Sequence, residues 1–212
     1  MPKRLGLSMR VDQLQGRPEP HDCLAHDWSA ILYRALGEIT WFPLPNLGQR
    51  TEAQLDALCL EALILTGGNS IGQSPVRDDS ELRMLDYCYR RHLPVLGVCR
   101  GLQLIHYSLT GVLPKPVCAA VHAGQSHPVQ APTELGRRLL AGGAEVNSYH
   151  ELGVFAEQVQ PGLEIWALSG DGVVEGFIDR QRRTIACQWH PERGPEAAEA
   201  GASLIRYFYN EL

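Results

Sequence analysis

The chain has 212 residues, 44% hydrophobic and 20% charged, with a net charge of −5 and a pI near 5.9. That length is enough to bury a substantial core and leaves no room for a second domain of ordinary size, so one domain over residues 1–212 is expected. With no Lys/Arg-rich run, no signal peptide pattern and no stretch approaching 18 apolar residues, a nucleic-acid surface and a membrane span are excluded and a cytoplasmic location is expected.

In chain order, Leu5 to Arg10 reads as a short first strand and Asp12 to His21 as a loop containing Gly and Pro. Asp22 to Leu36 carries apolar residues at Leu24, Trp28, Ile31, Leu32 and Leu36, near the 3.6-residue period, and stops at Gly37, which predicts a helix. A strand over Ile39–Leu44, a helix over Thr51–Leu60, a strand over 62–66 and a longer helix over Asp78–His92 follow. The apolar run from Leu93 to Val98 then leads into a further helix that begins after Cys99. Strand and helix alternating in this order predict an α/β fold with a mostly parallel sheet, its site at the carboxyl ends of the strands. The second half is richer in strands, at Glu164–Leu168, Val173–Ile178 and Thr184–Trp189, with turns at Asp171-Gly172 and Asp179-Arg180. Ala197 to Leu212 is a closing helix.

Six cysteines, at 23, 59, 88, 99, 118 and 187, are scattered without a C-x-x-C pair, which predicts reduced thiols. His21 and His26, and likewise His122 and His127, are five apart, a spacing that suits neither one face of a helix nor a recurrent ligand motif. No metal site and no cofactor are therefore expected. His122 and His127 either border the site or belong to a surface loop.

The segment Gly97-Val98-Cys99-Arg100-Gly101 joins an apolar strand to an apolar helix, and reads as a cysteine on a nucleophile elbow. Glycines two before and two after relieve the crowding at such a turn. The alternative is a buried structural thiol at an ordinary corner. A free thiol with a pKa of about 8.5 is only slightly ionised at neutral pH. Lowering that by about two units takes roughly 2.7 kcal/mol, more than a helix N-terminus contributes at about 0.3–1 kcal/mol. A histidinium is needed beside it. Gln188-Trp189-His190-Pro191-Glu192 supplies one, because the residue before a proline is pushed to extended geometry and residues i and i+2 then project to one side. Glu192 can thereby orient the His190 ring. The strand that ends in Thr66-Gly67-Gly68-Asn69 offers Gly68 as a backbone donor for an oxyanion, with the N–H of Arg100 as the second, although a plain glycine turn reads equally well.

Together, Gly-Val-Cys-Arg-Gly-Leu-Gln at 97–103, Thr-Gly-Gly-Asn at 66–69 and Trp-His-Pro-Glu at 189–192 resemble the class I glutamine amidotransferase family, in order and spacing, across nearly the whole chain. The resemblance implies a flavodoxin-like sheet flanked by helices. It also implies a triad of Cys99, His190 and Glu192, oxyanion donors at Gly68 and Arg100, and a glutamine-holding residue at Gln103. Asn147-Ser148-Tyr149-His150 resembles the loop that grips the glutamyl α-carboxylate and α-amine in the free-standing γ-glutamyl hydrolases of that family, a polar surface loop being the alternative. His150 is a rival base, but no carboxylate is placed for it as Glu192 is for His190.

Ser8-Met9-Arg10 and the stretch from His21 to Trp28 are similar to members of that branch whose leaving amine is a nucleotide phosphoramidate. Arg10 is then a candidate for a phosphate, since a guanidinium matches phosphate bidentately, or else a solvated arginine. Trp28 and Trp41 either stack on a base or pack in the core. The expected reaction is thiolate attack on a γ-glutamyl amide, release of the amine with His190 as acid, and hydrolysis of the thioester, on a small-molecule substrate. Two other readings remain: a hydrolase of the γ-glutamyl-γ-aminobutyrate type, and a glutaminase subunit that donates ammonia to a separate synthetase. Homo-oligomerisation is left open.

Overall fold

In the computed structural model, which describes residues 3–140, 145–194 and 198–212, the chain is organised by one nine-stranded sheet. Strands β1 (Leu5–Ser8), β4 (Trp41–Leu44), β5 (Ala62–Leu65), β6 (Val95–Val98) and β13 (Thr184–Cys187) pair in parallel in the order β4-β1-β5-β6-β13. The sheet continues through β12 (Val174–Asp179), β11 (Glu164–Ser169), β8 (Ala123–Gln130) and β9 (Glu145–Tyr149), all antiparallel. Two short ribbons stand apart, β2 (Arg10–Gln13) with β3 (Pro20–Cys23) and β7 (Lys115–Pro116) with β10 (Leu152–Gly153).

The parallel strands read as unbroken apolar runs because both of their faces are covered. Ala62 and Ile64 point into one half of the core, with Trp28, Ile31 and Leu32 of α1 (Asp27–Leu36), Leu135 and Leu139 of α6 (Glu134–Leu140), and Leu204 and Phe208 of α7 (Ala198–Glu211). Leu63 and Leu65 point into the other half, with Leu55 of α2 (Thr51–Leu58), Met84 and Leu85 of α3 (Pro75–Arg90), and Leu102 and Ile105 of α4 (Arg100–Thr110). The alternation is the two-residue period of a strand seen from its two faces. Helix α5 (Ala119–His122) is a single turn that leads into β8.

Several elements differ from the sequence-based expectation. The helix expected from Asp22 begins at Asp27, because Pro20–Cys23 pairs with Arg10–Gln13 and the Asp22 carboxylate accepts hydrogen bonds from the backbone and side-chain nitrogens of Asn46. The loop expected over Asp12–His21 therefore contains the facing ends of that ribbon. Helix α2 ends at Leu58, where Cys59 turns into the left-handed region at φ 50°. Helix α3 starts three residues earlier than expected, with Pro75 in the first turn, where its missing N–H costs nothing. The closing helix is described from Ala198, so its expected start at Ala197 lies outside the described residues. Asn147 and Ser148, expected on a loop, lie in β9.

Close approach of α4 to the sheet depends on glycine. A Cβ on Gly101 would stand 2.2 Å from the Leu65 carbonyl oxygen of β5, and one on Gly97 would meet the Gly101 backbone at 2.8 Å. Gly101→Ala is therefore expected to destabilise the protein by roughly 3 kcal/mol, as overpacking against backbone does. Urea unfolding measures it, and a loss below about 0.5 kcal/mol would mean that α4 can move off β5 freely.

Candidate active site

The carboxyl ends of four parallel strands meet at one edge: Met9-Arg10 after β1, Thr66-Gly67-Gly68 after β5, Cys99 after β6 and Gln188-Trp189-His190 after β13. Cys99 has φ 53° and ψ −105°, an unfavourable conformation for a residue with a side chain, and it is 7% exposed. Its N–H donates to the Cys187 carbonyl at 2.8 Å, and the Gln188 side-chain amide lies 3.6 Å from its sulfur. The turn is fixed on one side by β13 and on the other by the start of α4.

His190 Nδ1 is 2.7 Å from Glu192 Oε1. Burial works to lower the His190 pKa. Interaction with Cys99 and with the Glu192 carboxylate outweighs burial and brings the pKa up to about 9. A Cβ on Gly67 would stand 2.6 Å from His190 Cε1 and 3.4 Å from Cys99 Cβ, so a larger residue there would push the two apart. Asn147 sets the backbone of this segment. Its side-chain oxygen accepts from the His190 N–H at 2.9 Å, and its nitrogen donates to the His190 and Arg193 carbonyls at 2.9 and 2.8 Å.

Gly68, at φ 114°, is wedged between Arg10 and Arg77; a Cβ there would lie 2.7 Å from each side chain. Arg77 is fully buried and donates to the carbonyls of Thr66 and Gly67 at 3.0 and 2.8 Å, to Asn69 Oδ1 at 3.0 Å and to Glu81 at 3.0 Å. In a trans peptide the C=O and N–H point to opposite sides. A Gly67 carbonyl held on Arg77 therefore turns the Gly68 N–H away from Arg77. Arg100 is the first residue of α4, so its N–H has no intrahelical acceptor. Its side chain does not enter the cleft, being buried in ion pairs with Asp78 and Glu81. Burial presses the guanidinium pKa values of Arg77 and Arg100 downward, and Asp78 raises both in return.

A cleft of about 630 Å³ runs over Cys99, between Gly68 and Ser70 on one wall and Tyr149 to Leu152 on the other, with Gln103 at its floor. The Gln103 side chain donates to the Leu152 carbonyl at 2.8 Å and to Gln188 Oε1 at 3.3 Å. Tyr149 is half exposed, with its ring edge-on to His190 at a centroid distance of 5.9 Å and Arg193 over its face at 5.1 Å. Among the residues expected to grip the substrate, Ser148 is turned inward, its hydroxyl donating to the His122 carbonyl at 2.7 Å. Thus the Asn147 and Ser148 side chains hold the protein's own backbone, because β9 pairing buries them, and only Tyr149 of the three opens to the cleft. Arg10 borders a small recess beside His190, Glu192 and Arg193, and its guanidinium pairs with Asp12 at 2.7 Å. Trp28 is core, whereas Trp41 is half-buried and lines an apolar surface cleft of about 810 Å³ with Met9, Tyr33 and Pro43. That cleft and the recess beside Arg10 share Leu24 and Ala25.

Gln188 and Gly67 lie within the motifs without standing out there, and Arg77, eight residues beyond Asn69 in α3, carries no sequence signal at all. Histidines without a ligand spacing along the chain nevertheless meet in space. His122, His127 and His150 converge on Glu175, with one potential ligand atom from each within 4.8 Å of the others. The carboxylate that His150 lacked in sequence is Glu175, at 3.7 Å.

These features define a class I glutamine amidotransferase fold with a cysteine-histidine-carboxylate cleft. The chain belongs to the Peptidase C26 family of these proteins, whose model matches residues 8–192. It is 27% identical to the γ-glutamyl-CDP-amidate hydrolase of Campylobacter jejuni over 89% of this chain and 90% of that one. It is 32% identical to anthranilate synthase component 2 of Archaeoglobus fulgidus over 66% and 72% of the two chains. A solved structure from Thermoplasma acidophilum, described as a GMP synthase component, superimposes with a TM-score of 0.70 at 21% identity, covering 100% of this chain and 97% of that one. The family places the chain among hydrolases of glutamyl amide bonds. No helix among the described residues is long and apolar enough to cross a membrane.

The His190 pairings make a pH prediction. A histidine whose folded pKa is raised from 6.5 to about 9 contributes stability that is fully present below about pH 6.5 and is lost as the pH rises through 9. The His190 ring proton resonance is expected to titrate near pH 9 and to move to lower pH in Glu192→Gln. A midpoint near 6.5 in the unaltered protein would show that the ring is not paired with a negative group.

Proposed function

We propose that the chain is a cysteine-dependent hydrolase of a γ-glutamyl amide, a single class I amidotransferase domain over residues 1–212 that acts in the cytoplasm and needs no cofactor. The observation that carries this reading is Cys99 on its positive-φ turn at the same sheet edge as a buried imidazole, His190, which is paired with Glu192 at 2.7 Å; both Cys99 and His190 pack against Gly67. In this mechanism the Cys99 thiolate attacks the γ-carbonyl, and the N–H groups of Gly68 and Arg100 stabilise the oxyanion. The His190 imidazolium protonates the leaving amine, then as neutral imidazole takes a proton from the water that cleaves the glutamyl thioester. Glu192 orients the ring. Gln103 and Tyr149 border the glutamyl part of the cleft.

As substrate we propose γ-glutamyl-CDP-amidate, cleaved to glutamate and cytidine diphosphoramidate, a step in the supply of phosphoramidate for surface polysaccharide. Similarity to the Campylobacter enzyme over nearly the whole of both chains supports this. So does the line of recesses on the His190 side, where the leaving group departs. We assign Arg10 and Arg193 to the phosphates of the leaving group and the Trp41 cleft, which shares the lining residues Leu24 and Ala25 with their recess, to its base. Similarity to anthranilate synthase component 2 favours a second reading, an ammonia-donating subunit with a synthetase partner.

The test is glutamate release from γ-glutamyl-CDP-amidate and from L-glutamine, compared as kcat/KM, with Cys99→Ala as blank. A preference for the nucleotide conjugate of several hundredfold, roughly 3.5 kcal/mol of discrimination, is expected. Trp41→Ala should raise KM for the conjugate and leave glutamine hydrolysis unchanged. Equal rates on the two substrates would remove the nucleotide assignment and turn attention to small amine conjugates such as γ-glutamyl-γ-aminobutyrate. Negligible turnover of both, restored by a synthetase, would favour the second reading. Turnover by Cys99→Ala would remove the mechanism.

A further inference from the structure

Behind the wall of the cleft that carries Tyr149 and Leu152, four side chains from four different segments meet: His122 at the end of α5, His127 in β8, His150 after β9 and Glu175 in β12. None is more than 5% exposed, and Glu175 is fully buried. Both Glu175 carboxylate oxygens, His122 Nδ1, His127 Nε2 and His150 Nε2 lack a hydrogen-bond partner among the described residues. Oxygen Oε1 faces these nitrogens at 3.7, 3.5 and 3.7 Å, beyond hydrogen-bonding distance. A buried carboxylate is costly without a counter-charge, and five unpartnered polar atoms turned toward one point are rare in a folded interior.

The opposite nitrogens of the three rings are all engaged. His122 Nε2 is 3.1 Å from Asp171 Oδ2, His127 Nδ1 is 3.2 Å from the Pro128 carbonyl, and His150 Nδ1 is 3.0 Å from the Leu152 carbonyl. On a neutral ring each acceptor takes the N–H on its side, and the nitrogen that faces Glu175 then carries the lone pair. Carbonyl or carboxylate acceptors on the outer nitrogens are the usual surroundings of metal-bound histidines. In a tetrahedral shell with ligands at about 2.05 Å, neighbouring ligand atoms are about 3.3 Å apart. The carboxylate-to-ring distances here are within a few tenths of an ångström of that.

We propose that His122, His127, His150 and Glu175 bind one structural divalent transition-metal ion of the zinc class. The donor set of three neutral imidazoles and one carboxylate suits zinc. Four protein ligands complete a tetrahedral shell with no position left for a reactive water, so the ion staples the strands and does not take part in hydrolysis. It ties α5 and β8 to β12 and to the segment after β9. The Leu152 carbonyl that receives His150 also receives Gln103, which connects the staple to the floor of the cleft. This inference stands independently of the substrate and of the proposed mechanism.

The test is metal analysis of tag-free protein purified without chelator, together with cobalt titration of the chelator-stripped protein. About one zinc per chain is expected, absent from Glu175→Gln and retained when the more exposed His21 and His26 are both changed to alanine. Stripping should lower Tm by about 5–10 °C, reversibly on adding zinc. Cobalt should give the intense visible bands of tetrahedral coordination, a readout on the unaltered chain that decides the matter even if Glu175→Gln fails to fold. No retained metal, no effect of zinc on Tm and no tetrahedral cobalt bands would overturn the proposal, as would zinc retained by a folded Glu175→Gln. The four residues would then form a protonated imidazole-carboxylate cluster.

Discussion

The contact of α4 with β5 through Gly101 is the constraint on which the geometry of the site rests. With no side chain at Gly101 or Gly97, the helix that begins at Arg100 can lie against the Leu65 carbonyl, and the chain must turn so sharply after β6 that Cys99 takes a positive φ. The strain at Cys99 is held by regular structure on either side, namely the bond from its N–H to Cys187 and the first helical bond from Gln103 to its carbonyl. A thiol so placed stands at the carboxyl edge of the sheet without depending on a mobile loop. On the proposed reading, this positions the nucleophile before substrate arrives, and little ordering is left for the reaction itself.

Charge beneath the site performs a second kind of positioning. Arg77, Glu81, Arg100 and Asp78 form a buried group with two positive and two negative charges, so its desolvation is offset internally. The group is worth more as a scaffold than as a source of stability. Arg77 draws the Thr66 and Gly67 carbonyls inward and so orients the peptide whose N–H is the proposed oxyanion donor. Arg100 anchors the first turn of α4 through its side chain, while its N–H stays free. Neither guanidinium meets the cleft, which explains how two arginines beside a thiol can shape a site without acting as ligands in it.

The antiparallel half of the sheet completes the cleft. Asn147 clamps the backbone at His190, Tyr149 stands edge-on to the imidazole, and Leu152 holds Gln103. These residues belong to the edge strand β9 and its following segment, which bury few large apolar side chains of their own. The cluster around Glu175 lies where such a wall needs reinforcement, and the proposed ion would supply it by joining segments that hydrogen bonding alone connects loosely.

Much of the parallel half was legible in the chain, because its signals are local. Apolar runs bounded by glycine pairs mark β5 and β6, helical periodicity marks α1 and α3, and a proline fixes His190 and Glu192 on one side of an extended segment. Where tertiary pairing competed with these signals, they failed. Asp22 and Cys23 carry a helical pattern yet form a strand, since β2 and Asn46 offer them partners, and Asn147 and Ser148 look like loop residues yet are buried in β9. The histidines expose the limit most clearly. His122, His127, His150 and Glu175 have no ligand spacing along the chain, because the antiparallel pair β8 and β9 and the nearby strand β12 bring together residues up to about fifty positions apart. By itself the sequence determined the family, the parallel core and the pairing of His190 with Glu192, since short-range sterics and strand and helix periods act within a few residues. Only the tertiary structure decided what Asn147, Arg77 and Glu175 do, since their partners are chosen by sheet order and burial, which no local stretch of chain encodes.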